Sequence, residues 1–112
     1  MYEVVKTIEV SASHALNHLR YDSPCKSIHG HNWKITVYCS SESLNDDGMV
    51  VDFKDISDIV NRLDHKHIND VLVCVPTAEH IARWVCSMIK ECYKVEVEES
   101  KGNKAIYSRG KA

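Results

Sequence analysis

His29-Gly30-His31-Asn32-Trp33-Lys34-Ile35-Thr36-Val37-Tyr38-Cys39 is the stretch that decides the fold. Its odd positions carry two imidazoles, an indole, two aliphatic side chains and a thiol, while glycine, asparagine, lysine, threonine and tyrosine fill the even ones. A period of two describes a strand with one buried face, on which residues i and i+2 stand about 7 Å apart along the backbone. His29 and His31 therefore share the buried face and can reach one metal ion. Residues 2–14 repeat the pattern: Tyr2, Val4, Lys6, Ile8, Val10 and Ala12 are in one phase, and the other is largely polar from Thr7 onward. His14 ends this strand in phase with Ile8 and Val10, so pairing the two strands brings a third imidazole to the other two.

The remaining elements follow by the same rules. Asp22, Ser23 and Pro24 lie in the loop between the strands. Residues 40–47 are polar and lead through Asn45-Asp46-Asp47-Gly48, a hairpin-type turn signal, to a short returning strand expected over residues 49–51. Asp52 is placed to N-cap a helix with Phe53, Ile56, Ile59, Val60 and Leu63 on its apolar stripe and Asp55 in its first turn. Leu63-Asp64-His65 leaves that helix for a loop through Asn69-Asp70. Pro76 and Thr77 introduce a second helix whose stripe reads Ile81, Trp84, Val85, Met88, Ile89 and Cys92. Val95 and Val97 alternate with Glu96 and Glu98 in a third main strand. After a Lys101-Gly102-Asn103 turn, residues 104–108 make a fourth. The order strand, strand, helix, helix, strand, strand predicts an α+β fold, a four-stranded antiparallel sheet with two helices on one face. Such a thin layer leaves sheet edges to protect, which oligomerisation can do.

With 112 residues and 44 % hydrophobic content, the chain is expected to form one domain over residues 1–112. Fourteen basic against sixteen acidic residues give a formal charge of −2 without blocks of like charge, so nucleic-acid binding is not expected. Apolar runs of a few residues fall far short of the roughly 20 that cross a bilayer. Acidic Glu3 stands where a signal peptide is basic, so a cytoplasmic protein without membrane association is expected. Five cysteines without paired short spacing fit reduced thiols. Cys39, Cys74, Cys86 and Cys92 read as core residues.

Histidine is the outlier of the composition, with seven in 112 residues. A lone histidine is more often a hydrogen-bonded core residue than a ligand. For His14, His29 and His31 the balance reverses, because three neutral imidazoles with a free fourth position are the donor set of a catalytic zinc site. Gly30 between two of the rings weakens a strand but allows close approach of a ligand or another backbone. Cys25, four residues before His29 and next to Lys26, reads either as a base or nucleophile beside the metal or as a fourth ligand closing a site of one thiolate and three imidazoles.

Taken together, His14, Cys25-Lys-Ser-Ile-His29-Gly-His31-Asn-Trp33, Gly48-Met-Val-Val-Asp52-Phe53, Leu63-Asp64-His65, Pro76-Thr77-Ala-Glu79 and Val95-Glu-Val-Glu-Glu99 resemble the 6-pyruvoyltetrahydropterin synthase family almost end to end. Three residues between the cysteine and the His-Gly-His are similar to the bacterial 6-carboxytetrahydropterin synthases of queuosine biosynthesis; the animal pyruvoyl enzymes have a longer gap. The resemblance implies a tunnelling-type fold, assembly into a homohexamer as a dimer of trimers, and active sites between subunits. It also implies a pterin substrate, 7,8-dihydroneopterin triphosphate, and the products 6-carboxy-5,6,7,8-tetrahydropterin, acetaldehyde and triphosphate.

By the same resemblance His14, His29 and His31 hold Zn2+, Cys25 is the general base, and Asp64 with His65 forms an acid partner pair offered to a neighbouring subunit. Glu99 anchors the pterin. Strand phase gives an independent reason for preferring Glu99 to Glu98: it continues the Val95 and Val97 face, where a carboxylate is costly unless paired. The N–H and amino edge of a pterin offers two parallel donors that a carboxylate accepts. Thr77 doubles as helix N-cap and pterin neighbour. His18, His67 and His80 fall outside the motif's functional positions, with His80 expected at the surface, and Trp33 stands where tyrosine or phenylalanine is commoner. Two alternatives remain: a relative with the same metal but another pterin product, and a non-catalytic zinc- or pterin-binding module.

Overall fold

The computed structural model describes residues 1–111. Strands β1 (Tyr2–His14), β2 (His29–Ser41), β3 (Cys92–Ser100) and β4 (Asn103–Ser108) form one antiparallel sheet in that order, and helices α1 (Phe53–Val60) and α2 (Ala78–Ser87) cover one face. The α+β architecture expected from the element order is the one observed. Where β1 meets β2, His14 lies opposite His29, Ala12 opposite His31 and Val10 opposite Trp33. Where β2 meets β3, Ile35 faces Val97 and Val37 faces Val95. A slip of one residue in either pair would turn every inner side chain to solvent, so burial itself locks the register.

Val10, Trp33, Ile35, Val37, Val95 and Val97 from the sheet meet Ile56 and Val60 of α1 and Ile81, Ala82, Val85 and Cys86 of α2 in the core. Each fully buried aliphatic side chain contributes about 1.5–3 kcal/mol of transfer free energy. Both helices start where their caps direct. The Asp52 carboxylate accepts from the Lys54 N–H, and the Thr77 hydroxyl accepts from the His80 N–H.

Three local expectations are corrected. Residues 49–51 are not a strand. Asn45 instead folds the segment on itself, its side-chain oxygen accepting from the N–H groups of Asp47 and Met49 at 2.9 and 3.0 Å, while Gly48 takes a φ of +78°. The second helix ends at Ser87, and Cys92, placed on its stripe by spacing, opens β3 opposite Cys39. A helix period and a strand phase coincide there, and cross-strand pairing prevails. Phe53, assigned to the apolar stripe of α1, is exposed.

One loop is held against the sheet. Residues 64–67 run along the outer edge of β1: the His65 N–H donates to Ser11 O at 2.6 Å, the Ser13 N–H donates to Lys66 O at 3.0 Å, and Ser13 and His67 form a parallel bridge. This covers the edge beside His14, where unpaired backbone groups would otherwise be open.

Candidate metal centre

The β1–β2 register places the three histidines of the sequence motif together. Among the described residues, one nitrogen each from His14, His29 and His31 lies within 4.8 Å of the other two, and this is the group that can hold a metal ion. Each ring is aimed by something specific. His14 Nδ1–H donates to the carbonyl of Pro76, just before α2, at 2.8 Å, and His29 Nδ1–H donates to the carbonyl of Ser27 at 2.7 Å. Trp33 lies beneath, its ring centroid 4.9 Å from that of His14 and 5.1 Å from that of His31, and its indole N–H donates to Ala12 O. An Nδ1–H committed to a carbonyl leaves Nε2 as the lone-pair nitrogen, the usual outer-shell arrangement of metal-binding histidines.

The Nε2 atoms of His14 and His31 are buried without a hydrogen-bond partner. An unpartnered buried polar atom costs about 1–3 kcal/mol, and two in one cluster are accounted for by a cation that both coordinate. Burial of His14 holds its imidazole below the ordinary range, outweighing the opposing pull of the Pro76 carbonyl, so the ring stays in the neutral, ligating form. The donor set therefore fits a divalent ion that accepts imidazole.

Glu99 closes one side of the cluster. Its carboxylate oxygens lie 3.6 Å from His31 Nε2 and 3.9 Å from His14 Nε2, too far for hydrogen bonds. It falls within the register shift of β3 on β4, where Glu98 pairs with Lys104 and Ser100 with Asn103. An irregularity of this kind commonly re-aims a side chain beside a site. Glu99 nonetheless keeps the inward direction that phase predicts. Glu98, of the opposite phase, lines a separate cleft with Lys34 and Lys104 on the far face.

Cys25 is exposed on a single 3-10 turn, Pro24–Lys26, capped by the Ser23 hydroxyl. Its carbonyl accepts from the Leu16 N–H at 2.7 Å, tying the turn to the chain just beyond His14. The three imidazoles gather without its sulfur, so a metal-binding group forms without a fourth protein ligand from Cys25. Thr77 caps α2 immediately after the carbonyl that holds His14.

Asp64 and His65 stand beside the sheet. Asp64 Oδ1 accepts from the Ser11 N–H at 2.9 Å and Oδ2 lies 3.1 Å from His65 Nδ1. The Ser11 N–H is the main cause, and His65 a lesser one, of an Asp64 carboxyl held below its ordinary range. The His65 side chain is 83 % exposed, open to a group brought from outside the chain. A cleft of about 530 Å3 runs past it, lined also by His31, Ser11, Ser13, Gly30, Asn32, Lys66 and His67. A Cβ on Gly30 would meet only Ala12 O at 3.7 Å, so packing within the chain does not require glycine there. Its missing side chain keeps the cleft wall low.

Sequence reasoning gave no role to Ser11, Ser13, the Pro76 carbonyl or the Ser27 carbonyl. Ser11 and Ser13 could have been found from one signal, the β1–β2 register, which sets them opposite Asn32 and Gly30. The two carbonyls carry no residue-type signal. His80 is half-buried, its Nδ1 hydrogen-bonding to Val75 O at 2.7 Å, and not the surface residue expected.

Comparison with known proteins places the chain in a family and matches its fold. A family model described as 6-pyruvoyl tetrahydropterin synthase matches residues 3–110. A Synechocystis protein named 6-carboxy-5,6,7,8-tetrahydropterin synthase is 32 % identical over 122 aligned positions, covering 96 % of this chain and 93 % of its own. A Pyrococcus horikoshii protein provisionally named for the same activity is 48 % identical over 62 residues; that match spans 55 % of this chain and 38 % of the archaeal one. Among solved structures, the Caenorhabditis elegans 6-pyruvoyl tetrahydropterin synthase superimposes with a TM-score of 0.75 at 23 % identity, covering 97 % of this chain and 96 % of its own. At that identity the likeness shows the shared fold.

Proposed function

Because the chain belongs to the 6-pyruvoyl tetrahydropterin synthase family, we propose that it is a zinc-dependent lyase, a 6-carboxy-5,6,7,8-tetrahydropterin synthase acting in queuosine biosynthesis. It converts 7,8-dihydroneopterin triphosphate and one water to 6-carboxytetrahydropterin, acetaldehyde and triphosphate. The observation that carries the proposal is the carboxylate of Glu99 facing the buried, unpartnered Nε2 atoms of His14 and His31. A group suited to a metal ion and an acceptor for a pterin's paired N–H donors thus lie within 3.9 Å of each other.

His14, His29 and His31 would hold the zinc ion, which would supply Lewis acidity toward hydroxyls of the substrate's C6 side chain. Glu99 fixes the pterin by accepting two N–H bonds, and Thr77, the N-cap of α2 next to the Pro76 carbonyl that holds His14, contributes a pterin contact. Cys25 takes a proton at its sulfur, for which its exposed turn gives access. His65 moves a proton at its imidazole, oriented by Asp64 through Nδ1. With His65 turned outward, this pair serves the site of an adjoining protomer, and the catalytic unit spans two subunits of a homohexamer. The sheet suits such an assembly, since β4 is an edge strand in the single chain. Residues 1–112 act as one pterin-synthase domain in the cytoplasm, and among the described residues no helix is long and apolar enough to cross a membrane.

The test is to incubate the zinc-loaded protein with 7,8-dihydroneopterin triphosphate and identify the products by mass spectrometry. Equal amounts of 6-carboxytetrahydropterin and acetaldehyde support the assignment. A pyruvoyl pterin, or zinc binding with no turnover, overturns it in favour of another family activity or a binding module.

A further inference from the structure

His65 is the one non-glycine among the described residues with a positive φ, +57°. L-residues disfavour this left-handed region because Cβ crowds the backbone, although histidine enters it more often than most. A conformation of that kind persists only where its surroundings impose it. Here Ser11 imposes it from both sides of its own backbone: its carbonyl accepts from the His65 N–H at 2.6 Å, and its N–H donates to Asp64 Oδ1 at 2.9 Å. The Ser11 side chain is held in turn. Ser11 and Asn32 are direct cross-strand neighbours in the β1–β2 register, and the Ser11 hydroxyl donates to Asn32 Oδ1 at 2.7 Å. Asn32 immediately follows the metal-binding His31 on β2, with its side chain turned to the outer face. A continuous hydrogen-bonded path therefore runs from the strand that carries two of the three imidazoles to the strained turn carrying Asp64 and His65.

We infer that Asn32, acting through Ser11, is a positioning residue that holds the Asp64–His65 turn in its working conformation without itself touching substrate. The inference rests on the proposed proton-transfer role of that pair for its catalytic consequence, but the mechanical part stands apart from it. Asn32 buttresses a serine hydroxyl, the serine backbone grips the turn, and the grip keeps His65 in the left-handed region with Nδ1 toward Asp64. A purely structural asparagine would affect the whole fold, whereas a positioning one affects this turn and the rate.

The experiment uses the zinc-loaded, fully assembled protein and the variants Asn32→Ala, Ser11→Ala, their double and Asn32→Asp. Hydrogen–deuterium exchange is followed in peptides covering residues 9–14 and 63–67, together with zinc content, kcat and KM for 7,8-dihydroneopterin triphosphate. Loss of one hydrogen bond is expected to speed exchange in both peptides by about three- to tenfold, with kcat falling by a similar factor. KM should stay within about twofold and zinc content should be unchanged. Asn32→Asp keeps an acceptor for the Ser11 hydroxyl and restores both readouts. The double variant is no worse than either single, because both remove the same link.

Unchanged exchange in Asn32→Ala and Ser11→Ala overturns the inference. So does loss of zinc in step with kcat, which would place the effect on His31. If Asn32→Ala does not fold, Ser11→Ala removes the same bond from the other side and decides. A wild-type protein that yields no tetrahydropterin overturns the proposed function instead, and the exchange data still decide the positioning role.

Discussion

Replacing His65 separates backbone strain from side-chain chemistry at a position where both are present. At φ +57° a residue with a Cβ costs about 1–2 kcal/mol relative to glycine. Glycine gives back about 0.4–1 kcal/mol through the greater freedom of its unfolded chain. His65→Gly should therefore be more stable than His65→Ala by about 0.5–1 kcal/mol, and the glycine variant should equal or exceed wild type, because the His65 side chain is too exposed for its contact with Asp64 to offset that strain. At about 4 °C per kcal/mol for a chain of this size, the two variants should differ in Tm by about 2–4 °C. The assay is thermal unfolding of His65→Gly, His65→Ala and wild type at one protein concentration and full zinc loading, since assembly and metal each shift Tm by mass action. Both variants should lose turnover, so the more stable glycine variant would be inactive. If His65→Ala proved as stable as His65→Gly, the left-handed conformation would carry no strain, and the case that Ser11 imposes it would fail.

Cys25→Ala should retain full zinc, because the three imidazoles assemble without its sulfur, and should lose turnover; co-purified metal measured by elemental analysis beside product formation separates the roles, and zinc loss would restore the four-ligand site. His14→Ala should abolish zinc binding, since it removes the central, fully buried ring of the cluster, and Tm should no longer respond to added zinc or chelator. Asp64 sits below its usual 3.8, so its stabilising contacts are present above that value and are lost as pH falls through the depressed folded value. Asp64→Asn should accordingly be less stable than wild type near neutrality, with the gap beginning to close only as pH falls below 3.8 and closing fully below the depressed folded value, in urea unfolding; a gap that stayed constant would refute the assignment. Asn45→Ala removes two side-chain acceptor contacts with backbone N–H groups in an exposed loop, and should cost about 1 kcal/mol in the same measurement.

Periodicity exposed what burial decides. The two-residue phase of β1 and β2 determined which faces meet in the core, and that alone brought His14, His29 and His31 together, because the register pairing Val10 with Trp33 also pairs His14 with His29. Glu99 was legible for the same reason. Period failed where two patterns shared a residue: Cys92 suits the end of one helix and the start of one strand, and only pairing with Cys39 distinguishes them. It failed also at residues 49–51, where apolar composition suggested a strand but the N–H of Met49 had already been taken by the Asn45 side chain. A backbone donor can be used once, so a side chain that claims it locally removes the ladder it would have joined.

The outer face of the sheet was the least legible part, and the reason bears on where this site keeps its precision. Inner-face residues announce themselves by hydrophobicity, whereas Ser11 and Asn32 are small, polar and exposed, indistinguishable by type from solvated strand positions. What gives them meaning is a contact between distant segments: residue 11 grips residues 64 and 65, and residue 32 supports residue 11. Such links carry little burial energy, so composition does not register them, yet they join the strand carrying His29 and His31 to the turn presenting His65. The three imidazoles are brought together by the β1–β2 register, while the Asp64–His65 turn is oriented by a few exposed hydrogen bonds. Mutations at Ser11 or Asn32 should consequently leave fold and metal intact and appear first in the rate, whereas mutations of Trp33 should appear first in stability and zinc affinity.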